Sequence, residues 1–136
     1  MENKTLPNEV LLEEIRALLD EGREVAFTPK GTSMLPFIRG GRDSVTLKKL
    51  DSVEVGDIVL VRLPDNRYVL HRVWSLDGDR LELMGDGNLA GIEKCRLGDV
   101  IGTAIMVSGH KPTRGRVWRL LKPVRRYLLG IYRRII

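Results

Sequence analysis

Six short runs rich in β-branched and apolar residues recur at regular intervals between residues 24 and 108, with Gly, Asp, Asn and Pro between them. The sequences PDN (64–66), DGD (77–79) and DGN (86–88) are typical of turns. This rhythm predicts a mainly β chain that forms a compact antiparallel sheet or a partly open barrel. The predicted strands are 24–28, 44–47, 57–63, 68–74, 80–84 and 100–108.

The segment before the first predicted strand has the spacing of an amphipathic helix. Apolar residues recur every three or four positions over residues 8–21, with Asn8 as the cap and Gly22 as the stop. A single helix is not a helix-turn-helix, so no DNA-reading motif is present here. The chain therefore divides into an N-terminal helix (1–22), a β domain (23–110) and a basic amphipathic C-terminal helix (111–136).

The C-terminal segment combines an apolar stripe with a strong positive charge. Helical spacing returns from Gly115, and Pro123 and Gly130 predict a kink or two short helices. Residues 100–136 contain nine Lys and Arg and no Asp or Glu, whereas the residues before them carry 14 basic and 18 acidic side chains. The predicted stripe comprises Val117, Leu120, Leu121, Val124, Leu128, Ile131, Tyr132 and Ile135.

Two partners suit this segment equally well. Its stripe packs on the domain or on another protein, with the arginines as the solvated face, or residues 114–136 lie on an anionic membrane surface. Nucleic acid ranks third and is not expected, because only charge favours it. The segment carries too many charges to span a bilayer, so we expect no transmembrane helix there.

The start of the chain and its one cysteine bear on location. The first ten residues hold no apolar run, so neither a secretory signal nor an N-terminal membrane anchor is expected. Cys95 is the single cysteine, which excludes an intrachain disulfide and a cysteine-rich zinc site, and it is interpreted as a small buried hydrophobe. We expect a cytoplasmic protein, peripheral to the inner membrane surface if the C-terminal segment binds lipid, with no metal or cofactor.

Three polar residues have candidate catalytic roles. Ser33 lies between a glycine and a proline, and a serine hydroxyl becomes a nucleophile only with a base beside it. His71 lies in a predicted strand whose alternation places it with Val69 and Val73 on an apolar face, whereas His110 lies in a loop-like stretch. Taken alone, His71 is a satisfied core histidine and Asp86 a turn residue. Together with Ser33 they complete a nucleophile, a base and an orienting carboxylate.

Four ordered boxes carry a family resemblance: GTSMLP (31–36), GDIVLV (56–61), VLHRV (69–73) and GDGN (85–88). They resemble those of the signal peptidase I and LexA-type serine peptidase superfamily, over roughly residues 25–107. The resemblance implies a LexA/signal-peptidase-like β fold with a shallow groove that binds substrate as an added strand. It also implies Ser33 as nucleophile, Asp86 as carboxylate and His71 as base, as in the archaeal and endoplasmic-reticulum branch.

Further residues of the boxes have supporting roles by the same resemblance. Many signal peptidases have a hydroxyl residue at the position of Gly31, so the oxyanion would rely on backbone amides of the loop, with Thr32 as a helper. The second carboxylate often found beyond the GD box has no clear match, since two apolar or small residues precede Glu93. The other motif residues are interpreted as structural, with Met34 also near the groove: Met34, Pro36, Gly56, Asp57, Arg72, Gly85 and Asn88.

These observations predict a serine endopeptidase that cleaves an extended peptide or protein segment through an acyl-enzyme. The alternative is a non-catalytic relative that keeps the fold and uses the groove and the basic helix to bind a peptide or a membrane surface. Cleavage that persists after Ser33→Ala would exclude this serine as the nucleophile.

Overall fold

The computed structural model describes residues 2–5, 9–29, 34–87, 91–121, 124 and 128–131. Within these ranges eight strands form one open sheet in the order β1-β2-β3-β8-β4-β5-β6-β7. Strands β2 to β8 pair antiparallel with their neighbours, and β1 adds to β2 in parallel. The elements are β1 (Glu2–Thr5), α1 (Glu9–Asp20), β2 (Val25–Thr28), β3 (Val45–Lys48), β4 (Ile58–Arg62), β5 (Tyr68–Asp77), β6 (Arg80–Met84), β7 (Glu93–Arg96), β8 (Val100–Val107) and α2 (Arg116–Leu120).

The mainly β fold predicted from the sequence is confirmed, and all six predicted strands are present. The N-terminal helix is also found, and it ends as predicted at Gly22. The Gly22 amide donates to the Leu19 carbonyl and the Arg23 amide to the Leu18 carbonyl. This pattern needs a left-handed residue, and Gly22 has a φ of 85°.

Alternation along the strands divides the core between the two faces of the sheet. In β4, Ile58 and Leu60 belong to a cluster that also contains Leu19 of α1. The residues between them, Val59 and Val61, pack on the opposite face with side chains of β5, β6 and β7. Because both faces of β4 are covered, its residues 58–61 are all buried. The N-terminal helix thus shares one core with the sheet.

Strand β7 was not predicted from the sequence, and its composition explains why. Its four residues read EKCR, and only Cys95 among them is buried. Charged residues are common on edge strands, where they discourage pairing with another chain. Burial raises the pKa of the Cys95 thiol to about 11, so this side chain behaves as the small hydrophobe that was expected.

The C-terminal segment packs through some side chains of the predicted stripe and through others outside it. Trp118 and Leu129, neither of them in that stripe, are buried against Leu35. From the predicted stripe, Leu121 and Leu128 pack against this cluster, whereas Leu120 is 81% exposed and Ile131 56% exposed. The chain is helical in α2 and again at residues 128–131. In the part of the chain that the structure describes, no helix is long and apolar enough to cross a membrane.

Replacement of a helix residue in the core tests this packing. Leu19 is fully buried, so Leu19→Ala should lower the free energy of unfolding by about 2–5 kcal/mol. Leu120→Ala makes the same chemical change at an exposed position and should shift it by less than about 0.5 kcal/mol. Urea unfolding followed by circular dichroism measures both. Equal losses in the two variants would contradict the assigned role of α1.

Candidate active site

His71 lies in the middle of the sheet, on the face that carries the second core cluster. It is paired with Val59 of β4, and its neighbours on the same face of β5, Val69 and Val73, pack in that cluster. Only 6% of the residue is exposed. The strand period therefore places this imidazole as the sequence predicts, in a largely apolar environment.

The carboxylate that faces His71 belongs to Glu93. Its Oε1 atom lies 2.6 Å from the imidazole Nδ1. This is a close polar contact whose geometry does not meet that of an aligned hydrogen bond. Strand register explains the meeting: Glu93 pairs with Leu83, and Leu83 pairs with Val73 of β5. Paired residues share a face, so Glu93 and His71 lie on the same side of the sheet.

The second oxygen of the Glu93 carboxylate contacts the guanidinium of Arg67. Arg67 Nη2 lies 3.2 Å from Glu93 Oε2. Asp65 accepts the Arg67 Nε–H at 2.7 Å and thereby fixes the guanidinium at the β4–β5 turn. The Glu93 carboxylate is therefore placed between an imidazole and a guanidinium, with one oxygen directed to each.

Burial determines the protonation state of His71. Desolvation of the ring lowers the pKa of His71 below its usual value of 6.5, and the nearby charge of Glu93 offsets only part of this effect. At neutral pH the imidazole is consequently neutral. A neutral ring nitrogen can accept a proton, which is the property that a general base needs.

The structure places Asp86, the carboxylate predicted to hold this ring, against Arg72. Both oxygens of Asp86 are hydrogen bonded to Arg72, Oδ1 to Nε at 2.8 Å and Oδ2 to Nη2 at 2.7 Å. Arg72 is paired with Met84, and Asp86 follows two residues later on that same face, opposite to His71. Glu93, not Asp86, therefore contacts Nδ1.

The Arg72–Asp86 pair is instead the centre of a buried polar network. Side chains of both residues are almost inaccessible, at 4% and 0% exposure. The remaining Arg72 nitrogen, Nη1, donates to the carbonyls of Gly56 at 2.8 Å and Thr113 at 2.6 Å. Gly115 packs directly on the guanidinium: a Cβ there would lie 2.6 Å from Arg72 Nε. The guanidinium, bonded through all three of its nitrogens, thus joins three distant parts of the chain.

The backbone of Asp86 links this network to the loop that follows Ser33. Its amide donates to Met34 Sδ at 3.4 Å, and its carbonyl accepts the Trp118 indole N–H at 2.7 Å. Met34 is buried, and its carbonyl accepts the amides of Phe37 and Ile38. Pro36 lies within this turn. The loop is therefore anchored one residue after the candidate nucleophile.

Four of the predicted site residues lie outside the described residues: Gly31, Thr32, Ser33 and Asn88. Their roles stay predictions. Gly56 forms the turn before β4 with a φ of 98°, and Asp57 stabilises that turn by accepting the Glu54 amide. Gly85 is buried between the end of β6 and the following turn.

Glu93 is the functional candidate that sequence reasoning missed. Strand β7 was not recognised, so nothing indicated that residues 83 and 93 are paired. The available signal was the resemblance's expectation of a second carboxylate beyond the GD box, for which Glu93 gave no clear match in the sequence.

No model of a known protein family matches this sequence, and no curated protein matches it. The geometry of the described residues therefore carries the functional argument.

Titration of His71 tests the contact with Glu93. Nitrogen-15 NMR of the imidazole should give a pKa below 6.5, and Glu93→Gln should lower this pKa further because it removes a charge that raises it. Glu82→Gln on β6, whose carboxylate is bonded to Ser75, is the matched control and should leave the His71 titration unchanged. A rise of the His71 pKa in Glu93→Gln would contradict the contact.

The pKa of His71 is lower in the folded protein than in the unfolded chain, so the stability of the protein should depend on pH. Below pH 6.5 the unfolded chain binds a proton that buried His71 resists, so the free energy of unfolding should fall as the pH drops from 6.5 towards the folded pKa. His71→Gln should remove this contribution to the slope. Urea unfolding across that pH window measures the effect, and an identical slope in the variant would contradict it.

A double-mutant cycle tests the buried ion pair. Arg72→Met or Asp86→Leu alone leaves an unpaired buried charge and should lower the free energy of unfolding by about 3–5 kcal/mol. The double variant should lose much less than the sum of the two. Lys49→Met breaks the exposed pair with Asp20, 2.8 Å long, and should cost at most about 1 kcal/mol. Additive losses at Arg72 and Asp86 would show that the pair does not act as a unit.

Proposed function

We propose that this protein is a serine endopeptidase in which Ser33 is the nucleophile, His71 the general base and Glu93 the carboxylate that orients the base. The observation that carries the proposal is the buried His71 with a carboxylate 2.6 Å from one ring nitrogen. This arrangement has the base and orienting group of a hydrolytic triad. The resemblance of the four boxes to signal-peptidase-like and LexA-type enzymes supports Ser33 as the third member.

Each group has a defined part in the reaction. The Ser33 hydroxyl attacks the carbonyl carbon of the scissile peptide bond while His71 takes its proton. The tetrahedral intermediate collapses to an acyl-enzyme when His71 returns that proton to the leaving amine. Water then attacks the ester, with His71 again as base, and releases Ser33 and the second product. Glu93 stabilises the imidazolium that forms transiently, because its negative charge lies beside Nδ1.

The position of Arg67 moderates this stabilisation. Its guanidinium lies on the second oxygen of Glu93 and shares the carboxylate charge. A carboxylate that also faces a cation raises the pKa of the imidazole less than a lone carboxylate would. Arg67 therefore helps to keep the base neutral in the resting enzyme.

The edge of β5 suits an extended substrate. The ladder between β5 and β6 ends at the pair formed by Arg72 and Met84, so residues 68–71 of β5 continue past the end of β6. An extended peptide that pairs with this part of β5 would pass His71 with its backbone aligned to the strand. Such pairing selects for an unfolded segment rather than for a particular side chain.

Cleavage of a proteome-derived peptide library, read by mass spectrometry, tests the proposal. The wild-type chain should cleave a subset of peptides, and Ser33→Ala should abolish this activity. His71→Gln should reduce the rate by about 10²–10⁴. Glu93→Gln should have an effect of up to about 10⁴ because the imidazole loses its orienting group. In the wild type, kcat/KM should rise with pH through the His71 pKa.

Glu82→Gln and Asp86→Asn complete the experiment. Glu82→Gln should retain the wild-type rate, since this carboxylate contacts Ser75 and not the imidazole. Asp86→Asn should lower the free energy of unfolding, because it removes the charge that faces the buried Arg72 guanidinium. Asp86, and not Glu93, would be the acid that orients the base if Asp86→Asn cleaved more slowly with an unchanged free energy of unfolding. In that case Glu93→Gln would cleave at the wild-type rate. If the folded wild type cleaves no peptide but binds some of them, the protein is a binding module of the same fold.

A further inference from the structure

The C-terminal segment exposes apolar side chains among positive charges. Leu120 is 81% exposed, Val124 43% and Ile131 56%. Residues 116–134 contain seven Lys and Arg and no carboxylate. Exposed apolar residues that are surrounded by a single sign of charge mark a binding surface rather than a solvated face.

The structure also shows what faces inward from the same segment. Trp118 is buried and donates its indole N–H to the Asp86 carbonyl at 2.7 Å. Arg119 stacks on the ring of Trp74, 4.5 Å from its centroid, and donates to the Trp74 carbonyl. These contacts fix α2 on the domain. Arg116 and Leu120 lie four residues apart in α2 and so share its outer face.

The charge of this outer face is not neutralised within the described part of the chain. Arg114, just before α2, is paired with Asp57 and Glu54. Among the residues that the structure describes, no carboxylate forms an ion pair with the exposed Arg116. An anionic partner would therefore meet cations that remain available.

We propose that residues 116–131 bind the surface of an anionic membrane, with Leu120, Val124 and Ile131 inserted at the boundary between headgroups and acyl chains. The basic residues would contact lipid phosphates, and the apolar ones would leave water. Nucleic acid offers phosphates but no comparable apolar phase for these three side chains. The lipid surface therefore matches both properties of the segment.

The C-terminal segment packs on the loop that follows Ser33 in the chain. Trp118 and Leu129 pack on Leu35, two residues after Ser33 in the chain. The segment that would contact the membrane therefore packs directly on the loop that begins at Met34. Substrates attached to that membrane would be presented to the proposed peptidase.

Vesicle cosedimentation of the full chain tests the docking. The protein should bind vesicles of phosphatidylcholine with phosphatidylglycerol, bind phosphatidylcholine alone much more weakly, and dissociate as salt is added. Leu120→Asp should weaken binding to the anionic vesicles about tenfold or more, because an inserted leucine is replaced by a charge. Arg116→Glu should weaken it about fivefold or more.

Matched exposed positions outside the segment serve as controls. Leu50, 43% exposed in the β3–β4 connection, and Arg42, exposed before β3, should tolerate Leu50→Asp and Arg42→Glu with wild-type vesicle binding. Equal binding to both kinds of vesicle, or wild-type binding by Leu120→Asp, would overturn the proposal. Binding of a DNA duplex without vesicle binding, or a dimer that shields Leu120, would overturn it as well. The measurement needs no substrate, so it is independent of the peptidase proposal.

Discussion

The buried ion pair of Arg72 and Asp86 fixes the arrangement of the segments around the candidate site. Burying two charges is costly, and the cost is offset only when their hydrogen-bonding groups find partners. Here the carboxylate takes two donors of the guanidinium, and the remaining guanidinium nitrogen reaches the carbonyls of Gly56 and Thr113. The backbone of Asp86 adds contacts to Met34 and to the indole of the C-terminal segment. One residue pair thereby orders the loop after Ser33.

Strand alternation places the Arg72–Asp86 network and the proposed base, His71, on opposite faces of the sheet. His71 and Arg72 are neighbours in β5, and their side chains project to opposite faces. The face of Arg72 holds the buried network, whereas the face of His71 holds the imidazole and the Glu93 carboxylate. Register thus separates the two acids: Asp86 is bonded to Arg72, and Glu93 contacts the imidazole.

Sequence patterns predicted most of this molecule because its central strands have strong local signals. The β-branched run of β4 and the alternation around His71 indicate both strand type and buried face. Strand β7 has no such signal, since its residues are charged except for Cys95, and its identity depends on pairing with β6. Missing β7 hid Glu93 and left Asp86 as the nearest carboxylate in the motif. Register could have corrected this, because Asp86 lies on the face of Arg72.

In the C-terminal segment, helical periodicity did not identify all of the buried side chains. In the described residues α2 ends at Leu120 and residues 128–131 are again helical, so one stripe drawn along the whole segment does not identify every buried side chain. The buried side chain is then decided by tertiary contacts, above all the hydrogen bond of Trp118 to Asp86. Ser33 lies outside the described residues, so its role as nucleophile rests on the motif alone.

The central claim is that His71 activates Ser33, and a fluorophosphonate that esterifies activated serines tests it directly. The reagent forms a bond between phosphorus and the serine oxygen, releases fluoride, and requires a base to accept the hydroxyl proton. Intact-mass measurement with peptide mapping should find a single adduct on Ser33, and its rate of formation should fall sharply in His71→Gln. An adduct on another residue, no adduct on the folded protein, or equal labelling of Ser33 in His71→Gln would contradict the account.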